Sequence, residues 1–237
     1  MPISPLLFVL TSSIVVAGFA GLVVFLTSFR KGSIFANPFS RDWGLGLLLS
    51  SLIRIPTASA VAGMPLSSTI DGMAPYYAVG SVALIGAHAL FFRGTVRFFT
   101  DSRFWINYFP LLSFLCVNAV VFYSLQVLHL GPGWIIVEVA TVVSLNILFL
   151  VGANYKLICG ECSHRERVGS WLFVIGWVMF LLAHTYMTFM LHRYPTDFWF
   201  FAITSFPTIF IYSGYTISYL LLLSGFILNC TYKRKST

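Results

Sequence analysis

The sequence predicts an all-α protein: a single bundle of seven transmembrane helices, N-terminus outside and C-terminus in the cytoplasm. Three observations predict it. Of the 237 residues 58% are hydrophobic and only 9% charged, a composition that excludes a soluble globular chain. The apolar residues fall in runs long enough to cross a bilayer, since ~20 residues at a rise of ~1.5 Å span its ~30 Å hydrocarbon core. Finally, every Lys and Arg except Arg54 and Arg193 stands at alternate ends of those runs. Basic residues stay on the side from which a membrane is entered, and this sets the orientation.

The first span, Pro5–Ser28, has no basic stretch ahead of it and no small-residue cleavage site. It reads as a retained helix rather than a signal peptide. Arg30, Lys31 and Arg41 follow it on the cytoplasmic side, before the second span, Trp43–Ala62. The third, Tyr76–Phe98, closes on Arg93 and Arg97, with Arg103 just beyond. Next come Phe104–Leu125 and Trp134–Tyr155, the latter followed by Lys156, Arg165 and Arg167. The sixth span is Val168–Leu191, and the seventh, Phe198–Cys230, leads into Lys233, Arg234 and Lys235. Gaps of roughly 5–14 residues leave no room for a domain outside the bilayer, so residues 1–237 form one bundle. The net charge of +7 is topological and holds loop ends at an anionic leaflet; no nucleic-acid partner is expected.

Small residues at helical spacing, Ala17 and Gly21 in the first span and Gly80, Ala83 and Ala87 in the third, let helix backbones approach closely. Ordinary bundle packing explains them better than a dimer interface. Pro56, Pro110 and Pro207 are expected to kink their helices, and Pro207 with Gly214 makes the last helix the one most prone to bend. Trp43, Trp105, Trp134, Trp171 and Trp199 lie near span ends, where interfacial anchors belong.

An ionisable group at membrane depth costs ~2.5–3.5 kcal/mol on insertion scales and so needs a partner or a cavity. Arg54, Glu138 and His184 all fall in the outer half of the bilayer, on spans two, five and six. They form a candidate polar pocket for an anionic or hydrogen-bonding ligand, with Tyr212, Tyr215 and Tyr219 of the seventh span along its wall. The structural alternative is an Arg54–Glu138 ion pair that orders helices, with His184 bonded to a neighbouring carbonyl. His88 lies in the inner half, at a different depth from His184. It is either a satisfied core residue or a lone metal, haem or chlorin ligand. Arg93, Arg97 and Arg103, with Asp101 between them, cluster at the turn after the third span. They are either an anchor at lipid phosphates or a dock for an acidic segment of a partner.

Cys159 and Cys162 have zinc-knuckle spacing, and His164 would supply a third ligand, with Cys230 as a distant fourth. The alternative is an inert, reduced thiol pair on the cytoplasmic side. Zinc is therefore an option and no cofactor is assigned. The chain has no HExxH, no GxSxG and no Walker glycine loop, and the seventh span has no lysine to form a retinal Schiff base. A non-enzymatic protein is expected.

The segment "ALFFRGTVRFFTDSRFW" resembles the corresponding stretch of the seven-helix sensor domains that precede GGDEF diguanylate cyclase domains. Arg93, Gly94, Arg97 and Phe98 stand at the matching positions. "RDWGLGLLLSSL" entering the second span, "RERVGSWLFVIGWVMFLL" entering the sixth, and the last span are similar to that family too. The resemblance implies an outward-facing sensory bundle in a bacterial inner (cytoplasmic) membrane, dimeric through its output domain. After Cys230 this chain has only "TYKRKST", without a GGDEF domain. The expected function is thus a sensor-like bundle acting through a separate membrane or cytoplasmic protein partner, with a homo-oligomer open. The alternatives are an accessory subunit of an electron-transfer or photosynthetic membrane complex and, third, a small-molecule transporter.

Overall fold

Six segments of the chain, residues 5–33, 35–52, 70–97, 101–126, 163–193 and 206–233, are described by the structure, a computed structural model. Among them all regular secondary structure is helical: α1 (Pro5–Thr27), α2 (Pro38–Leu52), α3 (Ile70–Val96), α4 (Phe109–Gln126), α5 (His164–Arg193) and α6 (Phe206–Lys233). A π-helical turn, Phe104–Tyr108, leads into α4. Two stretches, His164–Tyr186 of α5 and Ile209–Leu228 of α6, are long and apolar enough to cross a membrane. The fifth span, the outer part of the second, and with them Arg54, Glu138, Pro56, Trp134, Cys159, Cys162 and Trp199 lie outside the described residues.

Local chemistry starts these helices. Asn37 caps α2, its Oδ1 accepting from the Ser40 N–H at 2.7 Å. Pro38 then takes the first helical position, where a missing N–H costs nothing. The second helix therefore begins five residues ahead of its expected start at Trp43. Ser163 and Glu166 open α5 as a capping box: the Ser163 N–H donates to Glu166 Oε2 at 3.0 Å, and the Glu166 N–H to Ser163 Oγ at 3.3 Å. Pro207 is the second described residue of α6, and the stretch of the expected last span ahead of Phe206 lies outside the described residues. Pro110 follows a π-helical turn. Just ahead of it the Phe109 N–H donates to the Phe104 carbonyl, five residues back, and the widened turn takes up what an α-turn there would not.

The helices neighbour one another in the order α5–α6–α1–α2–α3–α4, and α1 bridges α2 and α6. Small residues set the close crossings. A Cβ on Gly44 would meet the Phe25 backbone N at 2.5 Å, and one on Gly21 the Gly44 carbonyl at 2.8 Å, so α1 and α2 touch backbone to backbone. On α6 a Cβ at Gly225 would meet the Gly169 carbonyl of α5 at 2.6 Å. Ala17 and Ala87 are fully buried within the chain.

The bundle carries apolar side chains on its outside as well as in its core, and buries several polar ones. Phe19, Leu22 and Leu26 of α1, Leu111, Leu112 and Leu115 of α4, and Ile175 and Leu182 of α5 are exposed, whereas Ser13, Ser50, His88, His184 and Ser218 are buried. Packing against small and polar residues is how helices associate where the surroundings are as apolar as leucine.

Candidate functional site

Phe180 of α5 is the hub of the buried polar groups. Its ring touches His88 of α3 at 5.5 Å between centroids, His184 one turn along its own helix at 6.0 Å, and Tyr215 and Tyr219 of α6 at 5.2 and 6.0 Å. The α5–α6 crossing places these side chains together. Ser218 reinforces it by donating its hydroxyl to the Gly176 carbonyl at 2.7 Å. His184 Nδ1 and the Tyr215 hydroxyl are hydrogen-bonded at 2.9 Å. Tyr219 shares a hydrogen bond of 2.6 Å with Ser50 of α2. His184 thus bonds a tyrosine hydroxyl on a neighbouring helix, where a carbonyl was the structural expectation. Tyr212 is buried one turn from Tyr215, 6.1 Å between ring centroids.

His88 is 1% exposed, and neither of its ring nitrogens has a hydrogen-bond partner among the described residues. Its neighbours are the rings of Phe91, Trp177 and Phe180. A neutral imidazole carries one donor and one acceptor, and leaving such a group unsatisfied in an apolar interior costs about 1–3 kcal/mol. Each metal–imidazole bond is about 2.0–2.1 Å long. The Phe180 ring touches both His88 and His184. Among the described residues no three His, Cys, Asp or Glu side chains gather into a metal site. His164, the first residue of α5, is apart from this cluster.

A second constellation closes the other end of α2 and α3. Asp42 Oδ2 accepts from Arg97 Nε at 3.2 Å and lies 3.5 Å from Arg93 Nε. Gly94 makes this possible: a Cβ there would meet Trp43 Cδ1 at 2.7 Å and Asp42 Cβ at 3.4 Å. Trp43 Nε1 reaches Thr95 Oγ1 at 3.4 Å. The segments "RDW" and "RGTVR" are therefore one packed unit. The acidic partner of Arg93 and Arg97 is Asp42, not Asp101, which is exposed beside the exposed Arg103. Sequence reading passed over Asp42 because Asp101 is closer along the chain.

Trp43 corrects another expectation. It is 1% exposed and packs on Phe91, Phe173 and Phe226 at 4.6, 4.7 and 5.7 Å, so it is a core residue rather than an interfacial anchor. Trp105 and Trp171 are exposed, as anchors are.

Burial pushes the Asp42 carboxyl above its ordinary value; the Arg93, Arg97 and Arg41 charges and the Arg97 hydrogen bond oppose that shift without cancelling it. The residue stands one position before the second span. A raised folded pKa means that Asp42 contributes its stabilising share fully below the unfolded pKa of about 3.9 and loses it as pH rises through the folded value. Asp42→Asn keeps an acceptor for Arg97 without the buried charge. It is expected to match or exceed wild-type stability near neutral pH and to lack that decline. Asp42→Ala, with no acceptor, is expected to lose stability throughout. Melting temperatures across a pH series check this, and a wild type that gains on the Asn variant as pH rises would contradict it.

No family model matches the chain, and no curated protein or solved structure is significantly similar to it.

Proposed function

We propose that this chain is a multi-pass membrane protein of seven helices, N-terminus outside and C-terminus cytoplasmic. In this reading it is a non-enzymatic, sensor-like bundle that passes a conformational change to a separate protein partner. The observation that carries it is the Phe180 cluster. His88, His184, Tyr215 and Tyr219 converge from three helices inside a bundle whose outer faces are apolar. Intramembrane ionisable groups that face the bundle interior mark sites of function. Without a partner among the described residues, His88 bears a stability cost that a leucine would not, which supports retention for its chemistry.

The cluster also has a mechanical route to the cytoplasmic end. Phe180 contacts Trp177, which contacts Trp43, whose neighbour Asp42 holds Arg93 and Arg97. A small hydrogen-bonding ligand that engages His88 would have to move Phe180 or Trp177, and that motion has packed side chains to travel through. The segments "RDW" and "RGTVR", which carry the resemblance to the sensor domains that precede GGDEF domains, are in contact. Arg54 and Glu138 remain part of the proposed outward pocket.

His88→Leu is expected to be no less thermostable than the wild type and to lose any ligand response. Purification in mild detergent, with native mass measurement, tests the reading. A small species with a bound metabolite, absent from His88→Leu, supports the sensor. A stoichiometric large complex supports the accessory-subunit alternative. A His88→Leu protein that melts as low as a core truncation would show that the imidazole is structural.

A further inference from the structure

We propose that Arg93 and Arg97 form the headgroup site of one anionic phospholipid, whose acyl chains lie along the leucine stripe of α2 and α3 below them. Both guanidiniums address the same Asp42 oxygen through Nε, at 3.5 and 3.2 Å. This side-on approach leaves the Nη amino groups of both residues without a partner among the described residues. Asp42 is nearly closed off at 9% exposure, whereas Arg93 and Arg97 are 38% and 26% exposed. The carboxylate is therefore satisfied inward, and the donors that remain face outward. One carboxylate against two guanidiniums also leaves a net positive charge, and Arg41, over the Phe29 ring at 4.5 Å, adds to it. Paired guanidiniums that share one anchor present planar forks matched to a phosphodiester's oxygens.

What lies beneath the charges selects a lipid over an acidic peptide. On α2, Leu45, Leu49 and Leu52 follow Asp42 at helical spacing and so share its face; Leu52 is exposed and the other two are half-buried. On α3, Leu90 lies one turn from Arg93 and is half-buried. Gly86, one turn further, is where the stripe closes: its Cβ position is 3.4 Å from Leu49 Cδ1 and 3.4 Å from the Phe114 ring of α4. A charged head above half-buried and exposed leucines is the complement of a phospholipid. An acidic peptide would use the guanidiniums and leave those leucines uncovered.

The proposal rests on the membrane reading, though not on the direction of insertion. Its test uses the detergent-solubilised full chain titrated with phosphatidylglycerol or phosphatidylcholine, read by native mass spectrometry and melting temperature. A saturable adduct of one phosphatidylglycerol, with a rise in melting temperature that phosphatidylcholine does not give, is expected. Arg93→Gln, which loses only the longer contact to Asp42, should weaken that preference about five-fold or more, in line with the worth of one basic residue at an anionic surface. Arg103→Gln should leave it unchanged. Glycerol phosphate, the headgroup without tails, should not displace the lipid. Equal loss in Arg93→Gln and Arg103→Gln would reduce the effect to bulk charge and overturn the site. Displacement by glycerol phosphate would overturn the lipid in favour of a free phosphate ester, and an acidic peptide that displaces it would restore the docking surface. Binding of both lipids without preference defeats this proposal alone, whereas binding of neither defeats the membrane reading beneath it.

Discussion

Gly44→Ala is expected to lose the folded bundle or melt far below the wild type. The new methyl would lie 2.5 Å from the Phe25 backbone N and 3.0 Å from the Gly21 carbonyl, and neither is the far end of a flexible side chain. Backbone cannot swing aside, so α1 and α2 must separate along their crossing and give up the contacts on both sides. Overpacking costs about 1–3 kcal/mol in ordinary cores and more where backbone must shift; Gly44 belongs at or above the upper end. Gly225→Ala, against the Gly169 carbonyl at 2.6 Å, should follow it. Gly18→Ala meets only the Ser51 side chain, its Oγ at 3.2 Å, and should be mild. The ranking is read from the melting temperature or the yield of monodisperse protein. A Gly44→Ala protein as stable as Gly18→Ala would refute the close α1–α2 crossing.

Trp43→Ala is expected to cost about 3–5 kcal/mol, the range for truncating a buried large aromatic. Trp105→Ala, on an exposed position, should fall within about 0.5 kcal/mol of the wild type. The contrast is informative because both residues stand near the ends of their spans. Trp43 fills the space among Phe39, Phe91, Phe173 and Phe226, next in the chain to Asp42. Removing it opens a cavity and also loosens the seat of the Arg93–Asp42–Arg97 unit. Chemical or thermal denaturation of the two variants in the same detergent decides the matter. Equal losses would mean that Trp43 is only an anchor.

The end of the first helix was legible because its apolar run stops where the helix does: α1 ends at Thr27 against an expected Ser28. Hydropathy misplaced the start of α2, since "NPFSRD" scores as a loop. Its Asn and Pro are nevertheless helix-start chemistry, and the Ser163–Glu166 capping box was equally visible in the sequence. Tertiary facts were out of reach for a different reason. Asp42 and Arg97 stand 55 positions apart in the chain, and no periodicity within α2 or α3 reports on a partner in the other helix. The Phe180 cluster draws on α3, α5 and α6. Sequence reading therefore grouped His184 with the tyrosines as one candidate pocket but set His88 apart by depth, without the ring that joins them. Trp43 and Trp105 look alike to a rule that counts distance from a span end; only the neighbouring helices distinguish them.

The proposed arrangement is a seven-helix membrane bundle whose basic ends are cytoplasmic and whose polar cluster lies within the bilayer. Reporter fusions test it most directly. Green fluorescent protein, which folds in the cytoplasm, and alkaline phosphatase, which is active outside it, would each be joined after Ser33, Arg103, Arg193 and Thr237. The account predicts fluorescence without phosphatase activity after Ser33, Arg103 and Thr237, and the reverse after Arg193, because the basic residues divide between those ends in that way. Phosphatase activity after Arg103 or Thr237, or fluorescence after Arg193, would contradict it.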